Sequence, residues 1–224
     1  MQAIFAGKEA LASSLASTIS KARINRYLKE AGGKNIDALK LYHWNTELSQ
    51  AMYLTVQVWE ITLRNRLNTI LQRRYGEDWP YDELVAVRQL TDSDVDKLRA
   101  AITRQKKNRQ MRRPPTGAIV ADLSAGFWVS LLSDSYEVPL GWSTYIGRVF
   151  AYDAAMDRAT AHALCVRILD VRNRIAHHEP IYHLPLSDLQ ADAARLINGM
   201  CRGSSLYLAG KCELAAALAN RPAA

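Results

Sequence analysis

The feature that most constrains this fold is a long segment without a helix breaker. From Lys34 to Tyr75 the chain has neither glycine nor proline, and Gly33 and Gly76 bound the segment. Its apolar residues recur at three- and four-residue steps, which lines them up on one helix face: Val56, Trp59, Leu63, Leu67 and Ile70. The 224 residues include only 11 Gly and 7 Pro, whereas a β-sandwich or barrel needs many turns. The sequence therefore predicts an all-α fold.

Periodicity and breakers also predict where the other helices lie. Residues 133–147 contain proline and glycine, and we expect a loop or short turns there. The chain has no internal repeat and no convincing linker, so residues 1–224 are predicted to form one helical domain. We expect helices, in chain order, over residues 8–31, over 35–75, from Thr91 to the prolines at 114 and 115, over 118–132, over 160–177 and, as a pair, between 186 and 220.

A basic surplus is concentrated in one segment. The formal net charge is +7, which favours polyanionic partners such as nucleic acid. Between Lys97 and Ala121 the chain has no acidic residue, but it has these basic ones: Lys97, Arg99, Arg104, Lys106, Lys107, Arg109, Arg112 and Arg113. This basic tract suits a phosphate backbone, and a solvated helix end explains it at least as well.

The cysteines and the N-terminal residues favour a cytoplasmic protein. Cys165, Cys201 and Cys212 have no metal-ligand spacing and apolar or small neighbours, so we expect buried thiols in a reducing compartment. Residues 1–21 lack the apolar stretch of a secretory signal, and no segment approaches the roughly 20 apolar residues that cross a bilayer. We expect no membrane association, no cofactor and no metal site. The following tryptophans are predicted to be core residues: Trp44, Trp59, Trp79 and Trp128.

The segment from Val171 to Tyr182 gathers arginine and histidine at a helix end. Because Glu179 precedes Pro180, it is driven out of the helical conformation, and we expect the helix to end at His177 or His178. The negative end of the helix dipole favours a charged imidazole in a last turn. The segment is therefore a candidate site for acid–base chemistry.

Spacing decides which side chains of this segment share a helix face. Asn173 lies four residues before His177, and Arg174 lies four residues before His178, so each pair can meet. Arg172 and His177 are five residues apart, about 140° around a regular helix. We expect Arg172 and His177 to share a site only if the helix end unwinds or a second chain completes the site.

Arginine and histidine together suit the transesterification of RNA. The ribose 2′-hydroxyl must lose a proton before it attacks phosphorus, and the leaving 5′-oxygen must gain one, which histidine can serve near neutral pH. Arginine can hold the phosphate and stabilise its developing charge, so no metal is required. The alternative is that Arg172 and Arg174 cap carbonyls at the helix end and that the histidines are surface residues.

The motif resembles the signature of the HEPN superfamily, close to its Abi-like (abortive infection) family. The HEPN signature consists of an arginine, a polar residue, three further positions and a histidine, and Arg172-Asn-Arg-Ile-Ala-His177 matches it. The longer segment from Leu169 to Ile181 resembles the Abi-like C-terminal motif. The resemblance covers roughly Asp37 to Tyr182, and the remaining pieces are Leu39-Lys-Leu-Tyr-His-Trp-Asn45 with Leu48-Ser49, Glu60-Ile-Thr-Leu-Arg-Asn65, Tyr75-Gly-Glu-Asp-Trp79 and Leu123-Ser-Ala-Gly-Phe-Trp128.

The resemblance implies a HEPN-type helical bundle, with additional N- and C-terminal helices, that cuts RNA without a metal. It implies that Arg172 and His177 are catalytic and that Asn173 assists, with Arg174 and His178 in support. It also implies a homodimer whose two motifs face each other, with a role in phage defence or as a toxin. The candidate RNA-cleft residues are Glu60, Arg64, Lys106, Lys107, Arg109, Arg112 and Arg113.

Three alternatives and one departure bear on these expectations. Glu60 and Arg64 are also explained as a surface ion pair worth about 0.3–0.5 kcal/mol. A non-catalytic HEPN module that binds RNA or a partner protein is the main rival function, and a purely structural helical dimer is the third. HEPN toxins paired with nucleotidyltransferase antitoxins often have a tyrosine two positions after the histidine, where this chain has Glu179. An antitoxin of another kind or another regulatory protein stays a candidate partner.

Overall fold

The computed structural model describes residues 8–222, and over this range the chain is helical and contains no strand. The all-α prediction is confirmed for these residues. In chain order the helices are α1 (Glu9–Ile19), α2 (Lys21–Glu30), α3 (Asn35–Tyr75), α4 (Glu83–Gln89), α5 (Asp92–Arg109), α6 (Thr116–Asp122), α7 (Ala125–Ser130), α8 (Trp142–Val149), α9 (Arg158–Ala176), α10 (Leu186–Met200), α11 (Arg202–Ala209) and α12 (Leu214–Ala219). Two 3-10 turns lie at Trp79–Tyr81 and Asp134–Tyr136.

The unbroken segment forms the long helix that was predicted. Helix α3 has 41 residues, with Asp37 in its first turn and Arg73 and Arg74 in its last, as the helix dipole favours. Gly76 ends the helix with φ of 88°, a conformation that only glycine adopts freely. The segment without breakers therefore predicted the continuity of this helix, and the glycines that bound the segment predicted its two ends.

The described chain divides into two compact units. The first comprises residues 8–55, 171–190 and 211–222, and the second comprises residues 56–170 and 191–210. The first unit holds α1, α2, the start of α3, the end of α9, the start of α10 and α12. The prediction of a single domain over residues 1–224 stays a prediction.

Several predicted helix boundaries were wrong because caps and backbone turns interrupt the chain without glycine or proline. The helix predicted over residues 8–31 is two helices, separated at Ser20, whose φ is 86°. The helix predicted over residues 118–132 is also two, because Ser124 accepts a hydrogen bond from the Phe127 N–H and starts α7. Asp82 starts α4, which was not predicted, in the same way.

The C-terminal region and the predicted loop also differ from expectation. Cys201 caps a new helix, so the predicted final pair is three helices, α10 to α12. The loop predicted over residues 133–147 contains the 3-10 turn at Asp134–Tyr136 and the start of α8. Tertiary packing adds helices to segments whose local sequence favours turns.

The tryptophans predicted to be core residues are buried. In the second unit, Trp59 and Trp79 are fully buried, and the Trp79 indole N–H donates to the Asn68 side chain over 2.9 Å. In the first unit, Trp44 is buried and donates to the Ala217 carbonyl over 2.8 Å. The indole N–H groups of Trp79 and Trp44 are thus satisfied, and a buried N–H without a partner would be costly.

The cysteine prediction was right for one thiol and wrong for two. Cys165 is buried, and burial raises the pKa of its thiol to about 12. Cys201 and Cys212 are only half-buried, and the Cys201 side chain caps α11 by accepting a hydrogen bond from the Ser204 N–H.

The expectation of no membrane-spanning segment and the expectation of no secretory signal concern different parts of the chain. Within residues 8–222, no helix combines the length and the apolar character that crossing a membrane requires. The expectation of no secretory signal concerns residues 1–21, and residues 1–7 of that segment lie outside the described range.

Candidate functional site

Helix α9 ends in a tight backbone turn at the motif. The His178 N–H donates to the Ile175 carbonyl over 3.1 Å, and the Glu179 N–H donates to the Arg174 carbonyl over 2.8 Å. This pair of bonds is a Schellman motif, whose central residue takes the left-handed conformation. That residue is His178, with φ of 57°. Helix α9 ends at Ala176, one residue before the end predicted at His177 or His178, and the turn follows at once.

Unwinding begins only after the signature histidine. The His177 N–H still donates to the Asn173 carbonyl over 2.9 Å, which is a regular helical bond. Because the backbone is helical from Arg172 to His177, the two residues point about 140° apart around the axis. Unwinding of the helix end was one of the two ways in which Arg172 and His177 were expected to meet. The backbone does not unwind before His177, so this way is excluded.

The motif side chains differ in exposure. Asn173, His177 and His178 are exposed, whereas Arg172 and Arg174 are half-buried. Arg174 reaches the Glu179 carboxylate at 3.6 Å, across the Schellman turn. The histidines are thus accessible to a ligand, and the arginines lie closer to the protein interior.

A buried asparagine holds the chain that leaves the turn. Asn45 is only 5% exposed, and its side-chain oxygen accepts hydrogen bonds from the Ile181 N–H over 2.7 Å and the Tyr182 N–H over 3.2 Å. Sequence reasoning quoted Asn45 as part of a family-like string and gave it no role. The sequence places Asn45 four residues after Leu41, on the same helix face, but no local pattern identifies the groups that Asn45 binds.

An aromatic cluster packs helix α2 against the same segment. The Tyr27 ring lies 5.3 Å from the Tyr42 ring and 5.6 Å from the Tyr182 ring, measured between centroids. The Tyr182 hydroxyl donates to the Glu30 carboxylate over 2.5 Å. Burial and the nearby Glu30 raise the pKa of Tyr182 to about 12, so this donor keeps its proton at neutral pH. Helix α2 is therefore held beside the turn.

Helix α2 also supplies a basic side chain that sequence reasoning missed. Arg26 Nη2 lies 3.3 Å from Nε2 and 3.5 Å from Nδ1 of His183. A guanidinium can only donate, so the ring of His183 accepts. Burial and the positive charges of Arg26 and Arg174 lower the pKa of His183 below its usual value, which keeps the ring neutral. No local signal reveals this contact, because its partners are far apart in sequence.

Two concave surfaces meet at the turn, both built within the first unit. Tyr42 and His178 line both of them. We call the first the polar groove after its hydrogen-bonding side chains; it is lined by Tyr42, Asn45, Thr46, Ser49, Gln50, Tyr53 and His178, together with the apolar Ile175 and Ala176. We call the second the basic hollow, lined by Arg23, Arg26, Tyr42, His177, His178 and Glu179.

The candidate RNA-cleft residues outside the motif belong to the second unit. Arg64 Nε donates to the Asn65 side chain over 3.4 Å. In the basic tract, Arg113 forms an ion pair with Asp78 at 2.9 Å, and Arg109 donates to the Gln105 side chain over 3.0 Å. The remaining candidates of the tract are exposed: Lys106, Lys107 and Arg112. The role of these residues, and of Glu60, in an RNA cleft stays a prediction.

Among residues 8–222, no three His, Cys, Asp or Glu side chains group closely enough to hold a metal ion.

Comparison of the chain with models of known protein families, with curated proteins and with solved structures found no match. The interpretation of the site therefore rests on the motif and on the geometry around it.

The left-handed turn leads to a prediction about stability. His178→Gly should raise the free energy of unfolding by roughly 1 kcal/mol, because glycine adopts this conformation without a steric cost. Denaturant unfolding measures the change. His177→Gly is the matched control, and it should lower stability by about 0.5–1 kcal/mol because His177 keeps a helical bond. A loss of equal size in both variants contradicts the turn geometry.

Proposed function

We propose that the protein is a metal-independent endoribonuclease of the HEPN type and that it cuts RNA at the turn ending α9. One observation carries the proposal. The turn presents two adjacent exposed histidines, His177 and His178, to a hollow that arginines line. Exposed histidine next to arginine in a concave surface suits proton transfer at a phosphodiester.

The reaction follows from the chemistry of these groups. A histidine takes the proton of the ribose 2′-hydroxyl, whose oxygen attacks the adjacent phosphorus. Arg172 stabilises the negative charge that develops on the phosphate oxygens. A protonated histidine gives its proton to the departing 5′-oxygen. The bond between phosphorus and the 5′-oxygen breaks, leaving a 2′,3′-cyclic phosphate and a 5′-hydroxyl. His177 carries proton transfer, Asn173 assists it, and Arg174 and His178 shape the turn.

The polar groove supports RNA as the substrate. It offers the rings of Tyr42 and Tyr53 next to hydrogen-bonding side chains such as Gln50, and Tyr53 is 58% exposed. Unstacked bases of single-stranded RNA are recognised in this way, by stacking on aromatic rings and by hydrogen bonds to their edges. A single-stranded nucleotide therefore fits the groove, with its phosphate towards His178.

The backbone at the motif favours a homodimer as the working form. Arg172 and His177 of one chain point to different sides of a helix that stays regular between them. A two-fold interface brings the same patch of two copies together and so joins the arginine of one to the histidine of the other. It also supplies a second signature histidine, so that a base and an acid can act together.

Phage defence or toxicity is the proposed role, with a regulatory protein as partner.

One contact favours the rival proposal of a module that only binds RNA or protein. The Glu179 carboxylate lies 3.6 Å from Arg174 and lines the basic hollow, where a substrate phosphate would meet its negative charge. A binding module tolerates such a carboxylate at its edge more easily than an active site does. Cleavage assays distinguish the two functions directly.

The first expectation is RNA cleavage that resists chelation. The purified protein should cut single-stranded RNA in EDTA and leave 2′,3′-cyclic phosphate ends, because histidine and arginine supply the chemistry. His177→Ala and Arg172→Ala should each lower the rate by about 10²–10⁴-fold. His43→Ala, which removes another histidine of the first unit, is the control and should retain activity.

Three outcomes would contradict this expectation. Activity that disappears in EDTA and returns with Mg²⁺ indicates a different mechanism. Full activity in both Arg172→Ala and His177→Ala removes the motif from the site. RNA binding without cleavage under any condition supports the binding module instead.

The second expectation is complementation between inactive chains. Arg172→Ala and His177→Ala proteins, mixed and allowed to exchange subunits, should regain part of the wild-type cleavage rate, because the mixed dimer has one intact signature histidine instead of two. In a mixed dimer one composite site combines an intact arginine with an intact histidine from the other chain. Size-exclusion chromatography with light scattering verifies that exchange has occurred. No recovery in verified mixed dimers, or full activity in a monomer, contradicts the shared site.

A further inference from the structure

The basic hollow has a rim that does not belong to the motif. Arg23 and Arg26 are exposed and three residues apart on α2, so both face the same side of that helix. They line the hollow together with His177 and His178. Two sequence segments that lie far apart thus bring arginine and histidine to one concave surface.

The arginine rim is held in place rather than loosely attached. Tyr27, which follows Arg26 in the sequence, is buried and packs against the Tyr42 and Tyr182 rings. The Arg26 guanidinium hydrogen bonds to the ring of His183. Ordering Arg26 in advance lowers the entropic cost of binding a ligand. The packing of Tyr27 therefore fixes the helix beside the hollow, and the contact with His183 orders the Arg26 side chain.

The charges around the hollow favour an anion. Arg23 and Arg26 line the hollow, and the Arg26 guanidinium lies 3.3 Å from Nε2 of His183. Glu179 is the acid that lines the hollow, against the two arginines, and each acid nearby has a contact that holds its side chain. Tyr182 donates to Glu30, and Arg174 lies 3.6 Å from Glu179.

From these contacts we propose that Arg23 and Arg26 form a phosphate-binding subsite for the RNA strand, next to the bond that is cut. The inference rests on the proposed function, because it takes RNA as the ligand. Arginine binds phosphate with paired N–H donors, and two arginines one helical turn apart suit the phosphodiester backbone, which is the same at every base. These residues position the strand, whereas His177 acts on the bond itself.

Binding of an RNA that cannot be cut tests the subsite separately from catalysis. The probe is a fluorescent single-stranded RNA with 2′-O-methyl groups, titrated with the full-length protein at several salt concentrations. Arg23→Ala/Arg26→Ala should raise Kd about tenfold or more at low salt and reduce the slope of log K against log salt by about 1.4, or about 0.7 for each lost contact. The matched control is Lys21→Ala/Lys29→Ala, which removes the same charge from exposed positions of the same helix.

A charge-preserving variant separates binding from folding. Arg23→Lys/Arg26→Lys should restore the salt slope and most of the affinity, because lysine keeps the point charge and loses only the paired donors. Equal losses in the arginine and lysine alanine variants would overturn the proposal, since general electrostatics then suffices. Wild-type affinity in Arg23→Ala/Arg26→Ala would overturn it too.

Cleavage of ordinary RNA by the wild-type protein distinguishes the two hypotheses. If the protein cuts RNA but the arginine pair does not affect binding, the proposed function stands and the subsite is wrong. If binding depends on the arginine pair but no cleavage occurs, the subsite stands and the endoribonuclease is wrong. If the probe does not bind at all, the subsite is overturned regardless of cleavage.

Discussion

Two backbone N–H groups that follow a proline-terminated helix depend on one buried amide, the side chain of Asn45. Pro180 prevents α9 from continuing, so Ile181 and Tyr182 enter the interior without helical partners. The Asn45 side-chain oxygen accepts both N–H groups, and each would cost about 1–3 kcal/mol if left unsatisfied. This contact sets the direction in which the chain leaves the turn. The polar groove and the basic hollow both depend on that direction.

The turn itself carries a backbone conformation that glycine would adopt more easily. His178 has φ of 57°, and histidine is one of the few other residues found there. Unfavourable backbone conformations persist where the surroundings enforce them, and they concentrate at functional sites. Here the surroundings are the two Schellman bonds and the Asn45 contact. The strained residue is also a residue of the motif, which agrees with a functional role for the turn.

Local patterns predicted much of the fold and only part of the site. The unbroken segment before Gly76 predicted α3, and Pro180 predicted the end of α9. The break at Ser20 was not predictable, because neither glycine nor proline marks it. The contact between Arg26 and His183 and the bonds to Asn45 join residues that are distant in sequence, and no local pattern reports such pairs. The motif could therefore be recognised, whereas the surface around it could not.

We propose that RNA binds at the turn of α9 with its scissile phosphate beside Arg172 and His177. A crystal structure of the protein with a short single-stranded RNA, whose 2′-O-methyl groups prevent cleavage, tests this binding mode. We expect one phosphate within hydrogen-bonding distance of His177 from one chain and of an Arg172 guanidinium, with a base in the polar groove. An RNA that lies only along the basic tract, with no phosphate near the turn, would contradict this binding mode.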